Sequence, residues 1–108
     1  MNNESAIAIL GALAHDTRLN AFQLLVSHAP HGMPAGEVAR QLNVPQNTMS
    51  VHLATLARAG LIRSERHSRH KIYRADCERL KALTLFLADD CCAGKAEVSF
   101  TPLKDVSV

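Results

Sequence analysis

Three cysteines are the side chains of this sequence that are best suited to chemistry. Cys77 stands alone, whereas Cys91 and Cys92 are adjacent. A disulfide between sequence neighbours is strained, so two adjacent thiolates are better suited to holding one soft ion together. We recognise no export signal in the sequence, and therefore expect a cytoplasmic protein with reduced thiols. The pair predicts a site for a soft metal or metalloid.

Polar side chains between positions 46 and 52 could read a nucleic acid. A helix is predicted from Gln46 onward, because Met49, Leu53 and Leu56 recur at spacings of four and three and define one buried face. Amide and hydroxyl groups on the opposite face suit base edges and phosphates in a major groove. His52 is expected to pack or to contact a phosphate, and not to bind a metal. The predicted DNA contacts of this helix are Gln46, Asn47, Thr48, Ser50, Val51 and His52.

A basic hairpin is predicted directly after this helix. Residues 61–66 and 69–74 alternate like two strands around a turn at His67 and Ser68. The hairpin carries five Lys and Arg residues and one acid, Glu65, although the whole chain has a net charge of only +2. Such a concentration suits contact with DNA phosphates, because each neutralised phosphate releases counterions. The predicted phosphate contacts are Arg63, Arg66, Arg69 and Lys71.

The elements that position these residues form a helix-turn-helix followed by a wing, over residues 37–73. Val38 and Leu42 share one face of a short helix, and residues 43–45 interrupt it. Gly60 suits the left-handed position that ends the second helix, and Leu61 is expected to fold back onto that helix. Further helices are predicted over residues 6–14, with Ser5 or Glu4 at the start, and from Arg18 to Val26 after a break at 15–17, followed by a loop from Ser27 to Pro34. Asp76 can cap a last helix, which carries Leu80, Leu83, Leu85, Phe86 and Leu87. The predicted fold class is mainly α with a β-hairpin (α+β): a winged helix-turn-helix with helices 1–4, a two-stranded wing and a C-terminal helix 5.

Length and composition predict one domain that pairs with a second copy. A chain of 108 residues supports a single modest core. Yet 47% of the residues are hydrophobic although only 4% are aromatic, which favours burial of some apolar surface against a partner. We expect residues 1–99 to form the DNA-binding and dimerisation domain and residues 100–108 to form a flexible tail. The expected homodimer uses the first and last helices.

The apolar segment 6–14 is not typical of a signal peptide or of a membrane span. No positive charge precedes it within the sequence, and it is too short to cross a bilayer. We therefore expect it to be the first helix of the domain, and we expect no membrane partner.

Three segments together resemble the ArsR/SmtB family of bacterial metal- and metalloid-responsive repressors. They are residues 13–19, residues 44–53 and residues 59–62, and the resemblance extends over roughly residues 6 to 92. It implies a homodimeric winged-helix repressor that occupies double-stranded operator DNA and leaves it when an inducer binds. Two-fold symmetry would place the two reading helices about 34 Å apart on a roughly palindromic operator. Ser68 stands where many relatives have glycine at the tip of the wing.

The resemblance also bears on the inducer. Zinc sensing in this family calls for histidine and carboxylate ligands along the last helix, and that helix contains no histidine. Pro34 and Gly36 occupy the positions of the cysteine motif that many relatives carry before the reading helix. What remains is similar to an arsenic-responsive subgroup with a vicinal cysteine pair after the last helix, matched here by Cys91 and Cys92. This implies As(III), Sb(III) or an organoarsenical as inducer, with no permanently bound cofactor.

A third thiolate is missing from the arsenic-responsive pattern. Val98 and Ser99 stand where the subgroup has its third cysteine. Three routes stay open: Cys77 of the other subunit approaches, the pair binds through two thiolates, or Ser99 replaces a cysteine. The last two are favoured, because Cys77 lies about 20 Å along a helix from the pair.

Two other functions are alternatives to metalloid sensing. Thiol-redox or persulfide sensing would use Cys77, Cys91 or Cys92. A small thiol enzyme or metal carrier is disfavoured, because the sequence lacks a Cys-x-x-Cys motif, a Gly-rich phosphate loop and a catalytic triad at a plausible spacing. We therefore expect no enzymatic activity.

Cys77 is expected to be a partly buried thiol, and the histidines expected to face solvent are His15, His28, His31, His67 and His70.

Overall fold

The computed structural model describes residues 1–92, and of residues 90–92 it describes the backbone alone. The elements in chain order are α1 (Asn3–Leu13), α2 (Asp16–Ser27), β1 (Met33–Pro34), α3 (Ala35–Leu42), α4 (Gln46–Arg58), β2 (Ile62–His67), β3 (His70–Ala75) and α5 (Cys77–Cys92). The predicted winged helix-turn-helix, with five helices and a β-wing, is confirmed. The predicted domain limit at residue 99 and the tail 100–108 lie outside the described residues.

Side-chain oxygens cap the N-termini of α1 and α5. Asn2 precedes α1, and its Oδ1 accepts a hydrogen bond from the Ser5 amide at 2.8 Å; the sequence had pointed to Glu4 or Ser5 for this start. Oδ1 of Asp76 accepts from the Arg79 amide at 3.1 Å, as predicted for the last helix. Each bond satisfies one of the amides that a helix start leaves unpaired.

Two residues with positive φ bound the predicted reading helix, α4. Asn43 follows α3 with φ 57° and turns the chain toward α4. Gly60 follows α4 with φ 81°, after which the Leu61 amide donates to the Leu56 carbonyl at 3.1 Å. Leu61 is fully buried. The helix end at Gly60 and the return of Leu61 are as predicted, because glycine enters the left-handed region without a Cβ clash.

The wing is an antiparallel pair of six-residue strands, β2 and β3. Their last pair is His67 opposite His70, so the turn consists of Ser68 and Arg69. This is one residue later in the chain than predicted. Ser68 has φ 57°, a region in which a residue other than glycine is strained.

A third strand, β1, was not predicted. Met33 pairs with Tyr73 and Pro34 with Ile72, which gives a three-stranded sheet in the order β1-β3-β2. The sequence assigned this segment to a loop, because two residues, one of them proline, cannot show an alternating pattern. Pairing with β3 ties the wing to the start of α3.

One apolar core joins α1 to α4 with the base of the wing. Its largest fully buried side chains are Ile9, Leu25, Val38, Met49, Leu53, Leu56, Leu61 and Ile62. No polar or charged residue is buried among those that the structure describes. The core therefore depends on apolar packing, and α4 contributes three of its members.

The last helix, α5, adds less to this core. Leu83 is its one buried residue in the described part of the helix, and Leu80, Phe86 and Leu87 pack partly against the core. Leu85 is 52% exposed. Among the described helices, none combines the length and the apolar character that a membrane span requires.

Replacing two glycines by alanine should change the free energy of unfolding in opposite directions. Alanine at position 60 would have to adopt φ 81°, and its Cβ would lie 3.0 Å from Nε of Arg79. Gly60→Ala should therefore lower the free energy of unfolding by about 1–2 kcal/mol. Gly11 lies within α1 with open space at its Cβ, and Gly11→Ala should raise that free energy by about 0.5–1 kcal/mol. Urea unfolding at one fixed protein concentration measures both. A shift of the same sign in the two variants would contradict the assignment.

Candidate nucleic-acid interface

One face of α4 projects from the core and carries most of the side chains predicted to read DNA. Met49, Leu53 and Leu56 are fully buried on the inner face. The predicted contacts that lie exposed on α4 are Gln46, Asn47, Thr48, Ser50 and Val51. Because the inner face is held by the core, the rotation of the helix about its axis is set, and these side chains lie together at the surface.

The start of α4 combines free amides with an absence of acidic side chains. Pro45 precedes the helix and offers no capping group, and the first turn carries no Asp or Glu. Oδ1 of Asn47 accepts a hydrogen bond from the Thr48 amide at 2.9 Å. A helix start with unpaired amides favours anions such as phosphate.

Val51 is the apolar member of this outward face. Its side chain is 66% exposed, between exposed Ser50 and half-buried His52. An exposed aliphatic group among hydrogen-bonding side chains suits the methyl group of thymine in a major groove.

His52 differs from the other predicted contacts, because it lies partly against the junction between α1 and α2. Its Nδ1 lies 3.4 Å from Nη1 of Arg18, and its ring centroid is 4.6 Å from that of His15. Burial lowers the pKa of His52 below its usual value, and the nearby charges of His15 and Arg18 lower it further. The neutral imidazole is therefore favoured. Of the two roles expected for His52, this placement agrees with packing.

The positive charges of the wing fall into two groups. At its base, Arg63 lies 3.5 Å from a carboxylate oxygen of Asp76, and Arg74 forms an ion pair with Glu65. The sequence had Arg63 among the phosphate contacts; although its side chain is 77% exposed, part of its charge is balanced by Asp76. Asp76 was recognised as a helix cap, and its approach to Arg63 could not be read from local pattern.

The second group lies toward the tip of the wing. Arg66, Arg69 and Lys71 are exposed, and within the described part of the chain no carboxylate forms a salt bridge with them. Nζ of Lys71 lies 5.9 Å from the centre of the Tyr73 ring, a cation–π distance that orients the lysine. The uncompensated charge of the wing is thus concentrated on these three residues.

Of the three cysteines, Cys77 is the one whose side chain the structure describes. Cys77 is exposed, and not partly buried as expected, because it is the first residue of α5. It lines a cavity of about 470 Å³ together with Arg63, Arg74 and Asp76. The side chains of Cys91 and Cys92 lie outside the described residues. Among the described ones, no group of three or more His, Cys, Asp or Glu side chains could hold a metal ion.

The other histidines lie where they were expected. All are exposed, namely His15, His28, His31, His67 and His70.

Residues 13–65 match a family of helix-turn-helix domains. The chain is 32% identical to the uncharacterised HTH-type transcriptional regulator YbzH of Bacillus subtilis, over 75% of this chain and 93% of YbzH. It is 34% identical to the HTH-type transcriptional regulator YgaV of Escherichia coli, over 82% of this chain and 88% of YgaV. It is also 28% identical to the transcriptional activator HlyU of Vibrio cholerae, over 76% and 73%.

Solved structures show the same architecture. An ArsR-like transcriptional regulator from Rhodococcus superposes with a TM-score of 0.73 at 24% identity, over 82% of this chain and 80% of that chain. A possible transcriptional regulator for arsenical resistance has a TM-score of 0.64 at 26% identity, over 82% and 96%. The homodimeric winged helix-turn-helix domain Mb0332 of Mycobacterium bovis has a TM-score of 0.64 at 24% identity, over 89% and 89%.

These relatives regulate transcription and are not enzymes, which agrees with the expectation that this chain does not catalyse a reaction. The exposed face of α4 and the basic wing are the parts that such a DNA-binding regulator requires. The chain therefore belongs to the HTH-type transcriptional regulators, and it has the winged helix-turn-helix fold of the ArsR-like regulator from Rhodococcus.

Proposed function

We propose that this regulator is a homodimeric repressor that reads operator DNA with α4 and the wing, and that As(III) bound by Cys91 and Cys92 releases it. The observation that carries the DNA part is the division of α4 into a fully buried apolar face and an exposed face of hydrogen-bonding side chains. That exposed face enters the major groove, and its amides and hydroxyls meet base edges.

The wing supplies the charge that holds α4 at the DNA. Arg66, Arg69 and Lys71 contact phosphates beside the groove, since their charge is not balanced by a neighbouring carboxylate in the described residues. Arg63 contributes less, because Asp76 lies 3.5 Å away. The contacts of the wing add affinity without reading sequence, whereas α4 supplies the sequence preference.

The homodimer forms through α1 and α5. Ile7 and Leu10 of α1 are 68% and 46% exposed, and Leu85 of α5 is 52% exposed. Large apolar groups in such numbers on two elements favour an interface. The structural relative Mb0332 is described as homodimeric, which supports the same assembly here. A two-fold axis places the two copies of α4 about one DNA turn apart, at roughly 34 Å.

The inducer acts at the end of α5. Cys91 and Cys92 are the last two residues of that helix. Arsenous acid condenses with two thiols to form two As–S bonds and releases two water molecules, so that one hydroxyl stays on arsenic. Because α5 belongs to the proposed interface, a change of shape at its end alters the spacing of the two α4 helices. A structural relative described as a possible regulator for arsenical resistance supports this inducer class.

A second candidate function is thiol-redox or persulfide sensing. Exposure of Cys77 favours it, because reactive thiols are accessible. Oxidation at this position would act on the base of the wing. Release by peroxide or polysulfide without metalloid separates this function from arsenic sensing.

The wing predicts a definite salt dependence. Arg66→Gln and Arg69→Gln should each reduce the slope of log affinity against log salt by about 1.8, because each subunit of the dimer loses one phosphate contact and each contact contributes about 0.9. Lys81→Gln, on an exposed position of α5, removes the same charge and should leave the slope unchanged. The three slopes are measured by fluorescence anisotropy with a DNA duplex that the wild-type protein selects from a random library. Equal slopes in the four proteins would contradict the proposed role of the wing.

If α1 lies in the dimer interface, one charged side chain introduced there should dissociate the dimer. Ile7→Glu should weaken dimerisation by about 100-fold, because a carboxylate would be buried among apolar groups of the partner. Asn20→Glu is the matched control, since Asn20 is an exposed polar residue of α2. Sedimentation equilibrium reports the dissociation constant of both. A monomeric wild-type protein, or an unaffected Ile7 variant, would show that α1 is not in the interface.

The cysteine pair predicts an inducer response that Cys77 does not share. Arsenite should weaken DNA binding of the wild-type protein by about 100-fold, a coupling of about 2.7 kcal/mol. The double variant Cys91→Ser, Cys92→Ser should bind DNA normally and ignore arsenite, whereas Cys77→Ser should respond like wild type. Gel-shift titrations with arsenite, antimonite, phenylarsenite, zinc and peroxide make the comparison. Release of the double variant by arsenite would remove the pair from the proposal.

Repression itself is tested separately, because HlyU is named an activator. A reporter gene behind the selected duplex should be silenced by the wild-type protein and restored by arsenite. Increased expression on adding the protein would show the opposite sign of regulation.

A further inference from the structure

One guanidinium connects α1 to α4 directly behind the DNA-facing side chains. Nε of Arg18 donates a hydrogen bond to the Ala12 carbonyl at 2.7 Å, and Nη2 lies 3.5 Å from the Gly11 carbonyl. Nη1 of the same side chain lies 3.4 Å from Nδ1 of His52 in α4. Because arginine only donates, Nδ1 of His52 is the acceptor. Arg18 thus joins the end of α1 to the middle of the reading helix.

A second histidine completes this cluster. His15 precedes α2, and its Nδ1 accepts a hydrogen bond from the Thr17 amide at 3.1 Å. Its ring lies 4.6 Å from that of His52, with an angle of 43° between the planes. Both imidazoles therefore use Nδ1 as an acceptor, which requires the neutral form with the proton on Nε2.

We propose that Arg18 and His52 are positioning residues for DNA reading, and that protonation of His52 weakens DNA binding by breaking their contact. This inference rests on the proposal that α4 reads DNA. A protonated Nδ1 cannot accept from the guanidinium. Protonation would also place two positive charges side by side at a partly buried position, where repulsion is poorly screened. The acceptor that holds α4 against the α1–α2 junction would then be lost.

The surroundings of His52 favour such a switch. The charged and titratable groups that face it are Arg18 and His15, both from the α1–α2 junction, and no carboxylate in the described part of the chain forms a salt bridge with it. Burial and these two groups lower its pKa below the ordinary 6.5. The stabilising contribution of neutral His52 is therefore complete above pH 6.5 and is lost as the pH falls through the lowered pKa.

A phosphate-contacting His52, the other role expected from the sequence, predicts the opposite trend. Protonation would then add a cation at the DNA surface, so affinity and its salt dependence would both increase in mild acid. The wing also carries His67 and His70, so the effect of His52 must be measured against a variant that keeps those histidines.

His52→Asn is the matched variant, because its amide oxygen can accept from Arg18 at the place of Nδ1 without titrating. We expect the ratio of wild-type to variant affinity for the selected duplex to fall about tenfold as the pH is lowered from about 7.5 to about 5.5. His52→Leu, which lacks the acceptor, should bind about tenfold more weakly than His52→Asn at both pH values. A ratio that stays constant or rises on acidification would overturn the proposal.

A measurement on the free protein separates this inference from DNA reading as such. The ¹⁵N shifts of the His52 ring near about pH 7.5 should show the tautomer with the proton on Nε2. The other tautomer would overturn the contact with Arg18, whatever the protein does with DNA. If the wild-type protein selects no duplex from a random library, DNA reading itself fails and the positioning role falls with it, even where the tautomer is as expected.

Discussion

Burial of one face of α4 is the constraint on which the arrangement of the site depends. Met49, Leu53 and Leu56 are completely buried, and each such side chain contributes about 1.5–3 kcal/mol on leaving water. A helix of 13 residues would be marginal by itself, so this packing, more than helix propensity, holds α4 in place. Once the inner face is held, the outward direction of the polar side chains follows from the helical period.

Ion pairing divides the positive charge of the wing into a paired part and an unpaired part, a division that a count of basic residues does not show. Arg63 with Asp76 and Arg74 with Glu65 place opposite charges at its base. Exposed pairs of this kind contribute little to stability. Their consequence is electrostatic: positive charge near the core is reduced, and the uncompensated charge is concentrated at the tip. A projecting tip is also the part that can approach a phosphate backbone beside a groove occupied by α4.

The first helix brings together the proposed interface and the reading helix. Ile7 and Leu10 of α1 are exposed, and the carbonyl of Ala12, near the C-terminal end of the helix, accepts a hydrogen bond from Arg18. Arg18 in turn contacts His52 of α4. A movement of α1 in a dimer would therefore act on α4 through one polar side chain and the shared core. The first helix therefore carries part of the surface proposed for the interface and, through Arg18, contacts the helix proposed to read DNA.

The sequence by itself determined the helix-turn-helix, the wing and the division of α4 into two faces, because these depend on hydrophobic period and on local turn residues such as Gly60. Only the tertiary structure decided that β1 joins the wing, that Asp76 approaches Arg63, and that His52 contacts Arg18. Those residues approach each other through folding, and a period read along one segment contains no information about its neighbour across the core. Only the tertiary structure therefore separates the positive charge that is paired at the base of the wing from the charge that is left uncompensated at its tip.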